Sequence, residues 1–399
     1  MSIAGFHHGR RALVSGFRVS GVCEKGARMK SKAAVLFDSP GRYEVHEVDL
    51  DPPKEHEVLV RMVASGLCHS DVHYLVGDQA SPLPMCPGHE GAGIVEEIGE
   101  GVVGLAPGDH VVASFIPSCG RCRYCASGKS NLCAMGVLMM RGPQADGTYR
   151  MHLDGRDIYQ FLMISTLSAW SVVSEQSLVK IPSDVPLVTV CLLGCGVGTG
   201  FGSAVNAAEV RPGDTVIVMG VGGVGINAVQ GAAAAGATAV IAVDPVPLKQ
   251  TTALKLGATH ACAHISEAAE LARSLTDGQG ADSAIVTVDV PTGQHVAEAF
   301  DAVGKGGTVV LTGIASIHAD VGIPVSLGLL TGYQKRIQGA LFGMCAPARD
   351  IVSQVAMYRS GQLKLDELIT QRYPIERIND AVDDLLEGRN IRGVIMHRH

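Results

Sequence analysis

Tryptophan occurs once in the 399 residues, and no apolar run reaches the eighteen or so residues that a membrane span requires. A basic excess is also missing. The formal net charge is −7, which argues against a surface built for nucleic acid. There is no short-period repeat, and no low-complexity run beyond four alanines inside a helix-like stretch. No signal peptide with a continuous apolar region precedes the eleven cysteines, an odd count. A reducing cytoplasm with metal-bound thiols accounts for them better than a disulfide framework does.

What is present is a hydrophobic fraction of 47 % with 49 glycines, the balance of an α/β enzyme with Val/Ala-rich strands and tight turns. The length suggests two domains. Residues 1–28 stand apart, with a charge of +4 against −11 for the remainder. They are expected to be a disordered extension, either an over-extended start upstream of Met29 or, less simply, a transit peptide. From Lys30 to about Cys195, short apolar runs broken by glycine and proline read as strands of a β-rich domain. From Gly196 to about Gln338, apolar strands alternate with helical stretches, as βαβ units of a parallel sheet do. The closing segment, with its strand "RGVIMH", is expected to return to the first domain. The expected boundaries are 29–195 with 339–399, and 196–338.

Four cysteines, Cys119, Cys122, Cys125 and Cys133, fall within fifteen residues, with no histidine or carboxylate between them. Four thiolates at about 2.3 Å from zinc complete a tetrahedron and leave no position for a substrate. Such a cage locks a loop and catalyses nothing; two disulfides are the blander alternative.

A second motif is "GVGGVG", Gly220 to Gly225, between an apolar strand and a helix. Gly220 permits the tight turn, Gly222 admits the pyrophosphate to the backbone, and Gly225 lets the helix pack on the sheet; Gly223 and Val224 complete the loop. Asp244 ends the next strand, where it suits ribose hydroxyls and repels a 2′-phosphate, favouring NAD(H). Lys249 is placed to border the adenosine ribose.

Cys68 in "GLCHSDVH", His89 in "PGHEGAG" and Cys195 in "LLGCGVGTG" each sit in a glycine-flanked turn. Singly, each has a plain reading as a buried thiol or a satisfied histidine. Together they match a three-ligand zinc set with an open fourth position. Glu90 is placed to approach the metal from behind, and Asp71 to accept the other ring N–H of His89.

With these motifs, Met29 to His399 resembles the zinc-dependent medium-chain alcohol dehydrogenases, and several stretches resemble their nicotinoprotein branch, which retains NAD(H) and passes electrons to an external acceptor. The resemblance implies an α/β fold, a β-rich GroES-like catalytic domain plus a Rossmann domain with a doubly wound parallel sheet. It implies two zinc ions per subunit, NAD(H), a small alcohol or aldehyde substrate, a homo-oligomer (dimer or tetramer) and a cytoplasmic location. It also implies Ser70 and a solvent-facing His73 as proton relay, His69 and Arg392 on the pyrophosphate, Thr199 at the nicotinamide ribose and Phe115 in the alcohol pocket. The segment "SAIVTVDVPTGQ" departs from the family pattern, which puts its loop geometry in doubt. A Val-rich edge near "GGTVVLTG" is the expected oligomer surface. Two alternatives share these parts: a thiol-adduct formaldehyde dehydrogenase, with Asp78 and Gln79 at the pocket mouth, and a non-catalytic NAD(H)-binding sensor.

Overall fold

Strands buried on both faces read as unbroken apolar runs, and every residue of Thr215–Met219 and of Ala239–Val243 is buried. In the computed structural model, which describes residues 27–314 and 322–399, these are central strands of a six-stranded parallel sheet. Its order is His260–Cys262, Ala239–Val243, Thr215–Met219, Ala281–Val286, Val303–Leu311, Arg336–Gly339. Counted along the chain that is 3-2-1-4-5-6, the doubly wound order, whose ligand crevice opens where the order reverses. Gly220 and Thr287 follow the two strands at that reversal.

The rest of the described chain is β-rich. Glu57–Gly66 pairs antiparallel with Glu90–Ile98, Trp170–Ser174 and Arg392–Met396. The strands Ile369–Pro374 and Arg392–Met396 therefore return from the far end of the sequence to complete a seven-stranded sheet. A five-stranded sheet begins with Met29–Val35. One apolar cluster runs from Ala64 and Ala92 of the seven-stranded sheet through Leu192, Val197 and Phe201 to Val218 and Ile285 of the parallel sheet. The crevice is thus walled by two sheets with a continuous core.

The Val-rich run is not an edge. Val303–Leu311 is flanked by Ala281–Val286 and Arg336–Gly339, and the latter, mostly exposed, is the terminal strand. Of the expected tail, residues 1–28, residues 1–26 lie outside the described residues, Cys23 among them; Arg28 is described and donates to Asp51 at 2.7 Å. Cys86, Cys191, Cys262 and Cys345 are buried. Among the described residues no single helix is long and apolar enough to cross a membrane.

Candidate metal and dinucleotide site

Cys68, His89 and Cys195 come from three separate turns. Cys68 precedes the helix His69–Val76, His89 precedes the strand Glu90–Ile98, and Cys195 precedes the helix Gly196–Gly202. Their ligand atoms, with a carboxylate oxygen of Glu90, lie within 4.8 Å of one another. Asp71 is fully buried and accepts from His89 Nδ1 at 3.0 Å, from the Gly88 amide at 3.0 Å and from the Cys68 amide at 3.2 Å. With Nδ1–H given to a carboxylate, the Nε2 lone pair faces the two thiols. That Nε2 is buried and has no hydrogen-bond partner among the described residues. A buried acceptor is seldom left unpaired, so the site fits a zinc ion held by these three atoms. A hydrogen bond from Cys195 is the main reason Cys68 is held well below the ordinary thiol range, with burial opposing it. Asp71, and not solvent, fixes the histidine ring.

Glu90 stands behind this set. It accepts from Arg392 Nη2 and, at 2.8 Å, from the Gly196 amide. Arg392 is buried; it also donates to the Leu67 carbonyl, and its stem lies against Gly223 of the nucleotide loop. The guanidinium expected on a pyrophosphate is therefore largely engaged by Glu90.

Ser70 Oγ lies 3.9 Å from Cys68 Sγ, and Thr199 Oγ1 lies 3.8 Å from Cys195 Sγ. The helix cap is Cys68, so Ser70 is not spent as a cap. His73, three residues from Ser70 and hence on the same helix face, corrects the expectation of a solvent-facing relay. It is buried, with Nδ1 3.1 Å from Asp78 and Nε2 3.4 Å from Asp289. The Asp289 hydrogen bond is the main reason its basicity is raised above the ordinary imidazole value; burial opposes this and Asp78 adds to it. His69 lies 4.0 Å from the same Asp289, and burial lowers its basicity. Sequence reasoning missed Asp289. The available signal was an acid just beyond the carboxyl end of a buried parallel strand, where such sheets hold ligands.

The nucleotide loop follows Thr215–Met219. Gly220 has a φ of 88°, a left-handed turn that suits glycine. A Cβ on Gly222 would meet nothing within 4 Å, so the backbone there is open to an incoming phosphate. The helix Gly225–Ala234 begins at this loop, and its N-terminus favours an anion. Asp244 accepts from the Val221 and Val246 amides, each at 3.0 Å, and Lys249 Nζ lies 3.8 Å from its carboxylate. These residues fit a dinucleotide.

The other cysteine set is local. The sulfurs of Cys119, Cys122, Cys125 and Cys133 also lie within 4.8 Å of one another. Backbone amides point at them: Cys119 to Cys133 Sγ at 3.4 Å, Cys125 to Cys122 Sγ at 3.5 Å and Ala134 to Cys122 Sγ at 3.4 Å. Donation from Ala134 and Cys125 pulls the Cys122 thiol down to about 6. A closed four-thiolate metal cage suits this arrangement.

A continuous cavity of about 1260 Å³ joins the dispersed set to the nucleotide loop. Cys68, Ser70, His89, Phe115, Cys195 and Thr199 line one end; Gly222, Val224, Asp244 and Lys249 line the other. His69, His73, Asp289 and Arg392 also line it. The walls beside the thiols include Met139, Met140, Phe161, Leu162 and Phe342, which sequence reasoning did not single out.

Comparison with known proteins decides the family. A model described as alcohol dehydrogenase GroES-like domain matches residues 54–183, and one described as zinc-binding dehydrogenase matches residues 223–357. The chain is 50 % identical over 369 residues to the NDMA-dependent alcohol dehydrogenase of Amycolatopsis methanolica, covering 92 % of this chain and 99 % of that protein. The chain belongs to the zinc-binding alcohol dehydrogenase family. It is an oxidoreductase of that family, with a GroES-like part and a Rossmann-type parallel sheet. Among solved structures, an alcohol dehydrogenase zinc-binding domain protein from Burkholderia ambifaria matches with a TM-score of 0.87 at 33 % identity, covering 94 % of this chain and all of that one. Benzyl alcohol dehydrogenase from Acinetobacter calcoaceticus matches with a TM-score of 0.86 at 29 % identity, covering 93 % of this chain and all of that one.

Proposed function

We propose that the protein oxidises an apolar primary alcohol to its aldehyde, or the reverse, with hydride exchanged with NAD(H). The observation that carries this reading is the single cavity shared by the Cys68, His89, Cys195 set and the Gly220–Gly225 loop. Zinc supplies Lewis acidity toward the substrate hydroxyl, and the nicotinamide ring supplies the hydride acceptor. Every other task falls to the chain. Asp71 fixes the His89 tautomer, while Glu90 and Arg392 brace the ligand turns from behind. Ser70, beside Cys68, would accept the hydroxyl proton while giving up its own, which passes on toward His73, one turn along the helix on the same face, and the carboxylates that flank it. Thr199 positions the nicotinamide ribose. His69, with Arg392, sits toward the pyrophosphate, and Asp244 and Lys249 toward the adenosine ribose. The Asp244 carboxylate would repel a 2′-phosphate, which selects NAD(H).

The lining supports an apolar substrate. Phe115 and Phe161 stand edge-on to His89, with ring centroids at 5.9 and 5.8 Å, and give the space beside the thiols aromatic walls. Of the two candidate contacts for a polar thiol adduct, Asp78 is turned to His73, while Gln79 lines the cavity. The reading includes a second zinc at Cys119, Cys122, Cys125 and Cys133, and the domain limits 29–195 with 339–399 and 196–338. It includes a homo-oligomer, for which the side of Arg336–Gly339 that no strand among the described residues pairs with, and the exposed Leu327, Leu329, Tyr333 and Leu341, offer a surface. A cytoplasmic location belongs to it as well, since both thiol sets must stay reduced to hold metal. The test is the absorbance of reduced nicotinamide in zinc-loaded protein before and after benzyl alcohol, then after NDMA as acceptor. A band that grows with alcohol and is discharged by the acceptor supports the reading. No alcohol-dependent reduction, even with NAD+ added, contradicts it.

A further inference from the structure

The segment that departs from the family pattern in sequence bridges the two sides of the cleft. It leaves the parallel sheet after Ala281–Val286 and carries Asp289 toward the helix His69–Val76, which belongs to the β-rich side. One carboxylate oxygen of Asp289 lies 3.4 Å from His73 Nε2 and 4.0 Å from His69 Nδ1. The pairing is lopsided in exposure: the His73 side chain is 6 % exposed and Asp289 46 %. His73 is held from its other side by Asp78 at 3.1 Å. The imidazole is therefore a fixed post with a carboxylate on each ring nitrogen, an arrangement that suits both nitrogens as donors. Asp289 is the arm that reaches it.

The bridge is part of the cavity wall. Asp289, His69 and His73 line the same cavity as the thiols and as Asp244 and Lys249. A dinucleotide that fills this cavity lies against the bridge.

We propose that Asp289 is a cross-cleft latch, closing on His73 and His69 over the bound dinucleotide and setting how slowly it is released. This rests on the NAD(H) reading above and goes beyond it, because nothing in the metal set or the phosphate loop requires an acid at this point. The latch adds no contact to the reacting atoms. It acts on the opening of the cleft, so its signature is a dissociation rate, the usual carrier of affinity differences between variants of one site.

The experiment uses the full-length, zinc-loaded protein filled with NADH, chased with excess NAD+ while nicotinamide fluorescence is followed. Asp289→Asn, nearly isosteric and at a half-exposed site, should release NADH about twofold to fivefold faster than the parent, the scale of one partly screened ion pair. Asp289→Glu, which keeps the charge, should stay closer to the parent rate. His73→Gln should also accelerate release, and the double variant should be no faster than Asp289→Asn alone. Additive acceleration would mean that Asp289 holds the dinucleotide itself, which overturns the latch. An unchanged rate in Asp289→Asn with NADH still bound overturns the latch and leaves the NAD(H) reading standing. A parent protein that binds no NADH overturns both.

Discussion

The two cysteine sets have the same geometric compactness and opposite designs. Cys119, Cys122, Cys125 and Cys133 lie within one loop, so four donors converge without help from the fold. The Cys122 and Cys133 sulfurs receive backbone N–H groups, and all but Cys133 are partly exposed. Cys68, His89 and Cys195 are separated by up to 127 positions and meet only because Glu57–Gly66, Glu90–Ile98 and the turn before Gly196–Gly202 are packed together. Their donors face a cavity, and one of them, His89 Nε2, has no hydrogen-bond partner among the described residues. A closed local cage stabilises a loop. A dispersed three-donor set assembled by the fold leaves a coordination position directed at a ligand.

The comparison breaks most visibly if a single thiol is exchanged on each side. Cys68→Ser should lower turnover by well over about 100-fold, since even losing a partner of a ligand commonly costs 10- to 100-fold. Its thermal midpoint should stay near that of the parent. Near-normal turnover in metal-loaded Cys68→Ser would remove the catalytic assignment. Cys125→Ser should show the reverse pattern. Metal binding to such cages is coupled to folding and is worth about 10 kcal/mol or more in small peptides, so the thermal midpoint should drop by roughly 10 °C or more. Protein still folded at low temperature should turn over at close to the parent rate, which calorimetry and assay on one sample would check.

A finer cut is Asp71→Asn, which leaves the three donors in place and weakens the acceptor that orients His89. Zinc affinity at the dispersed set should fall about 10- to 100-fold with no change at the cage, read by chelator competition on the two zinc equivalents. Equal loss from both sets would contradict their independence.

The smallest effect is pH-dependent and belongs to the cleft beside the dispersed set. The Asp289 hydrogen bond, aided by Asp78, raises His73 above the imidazole value of about 6.5, so its contribution to stability is full below that value and is lost as pH rises through the raised one. Burial works against the charge on Asp289, but His73 and His69 hold the carboxyl below its usual range. Its share is present above about 3.9 and lost as pH falls through the lowered value. The difference in thermal midpoint between the parent and Asp289→Asn should therefore be largest between these limits and shrink above neutrality, corresponding to no more than about 1 kcal/mol for a half-exposed pair. A difference that grows as the solution becomes alkaline would contradict the pairing.

Much of this was legible in the sequence because its signals are local. The apolar runs at Thr215–Met219 and Ala239–Val243, the glycine turn at Gly220 and the four-thiol spacing each need only a few neighbouring residues to be read. The dispersed metal set was legible one step less directly, through glycine-flanked turns and family resemblance. Two features resisted. Valine density suggested an edge at Val303–Leu311, but in a parallel sheet covered on both faces the Val-rich strands are the inner ones, and the terminal strand Arg336–Gly339 is short and polar. The setting of His73 depends on Asp289, 216 positions away and brought close only by the packing of one side of the cleft against the other. No local spacing encodes such a contact.

The most direct test of the central claim is a crystal structure of the zinc-loaded protein with anomalous diffraction measured at the zinc edge. The account predicts one peak at about 2.0–2.3 Å from Cys68 Sγ, His89 Nε2 and Cys195 Sγ, facing the cavity, and a second enclosed by the four local thiols. Active protein whose zinc peaks leave the Cys68, His89, Cys195 set empty would contradict it.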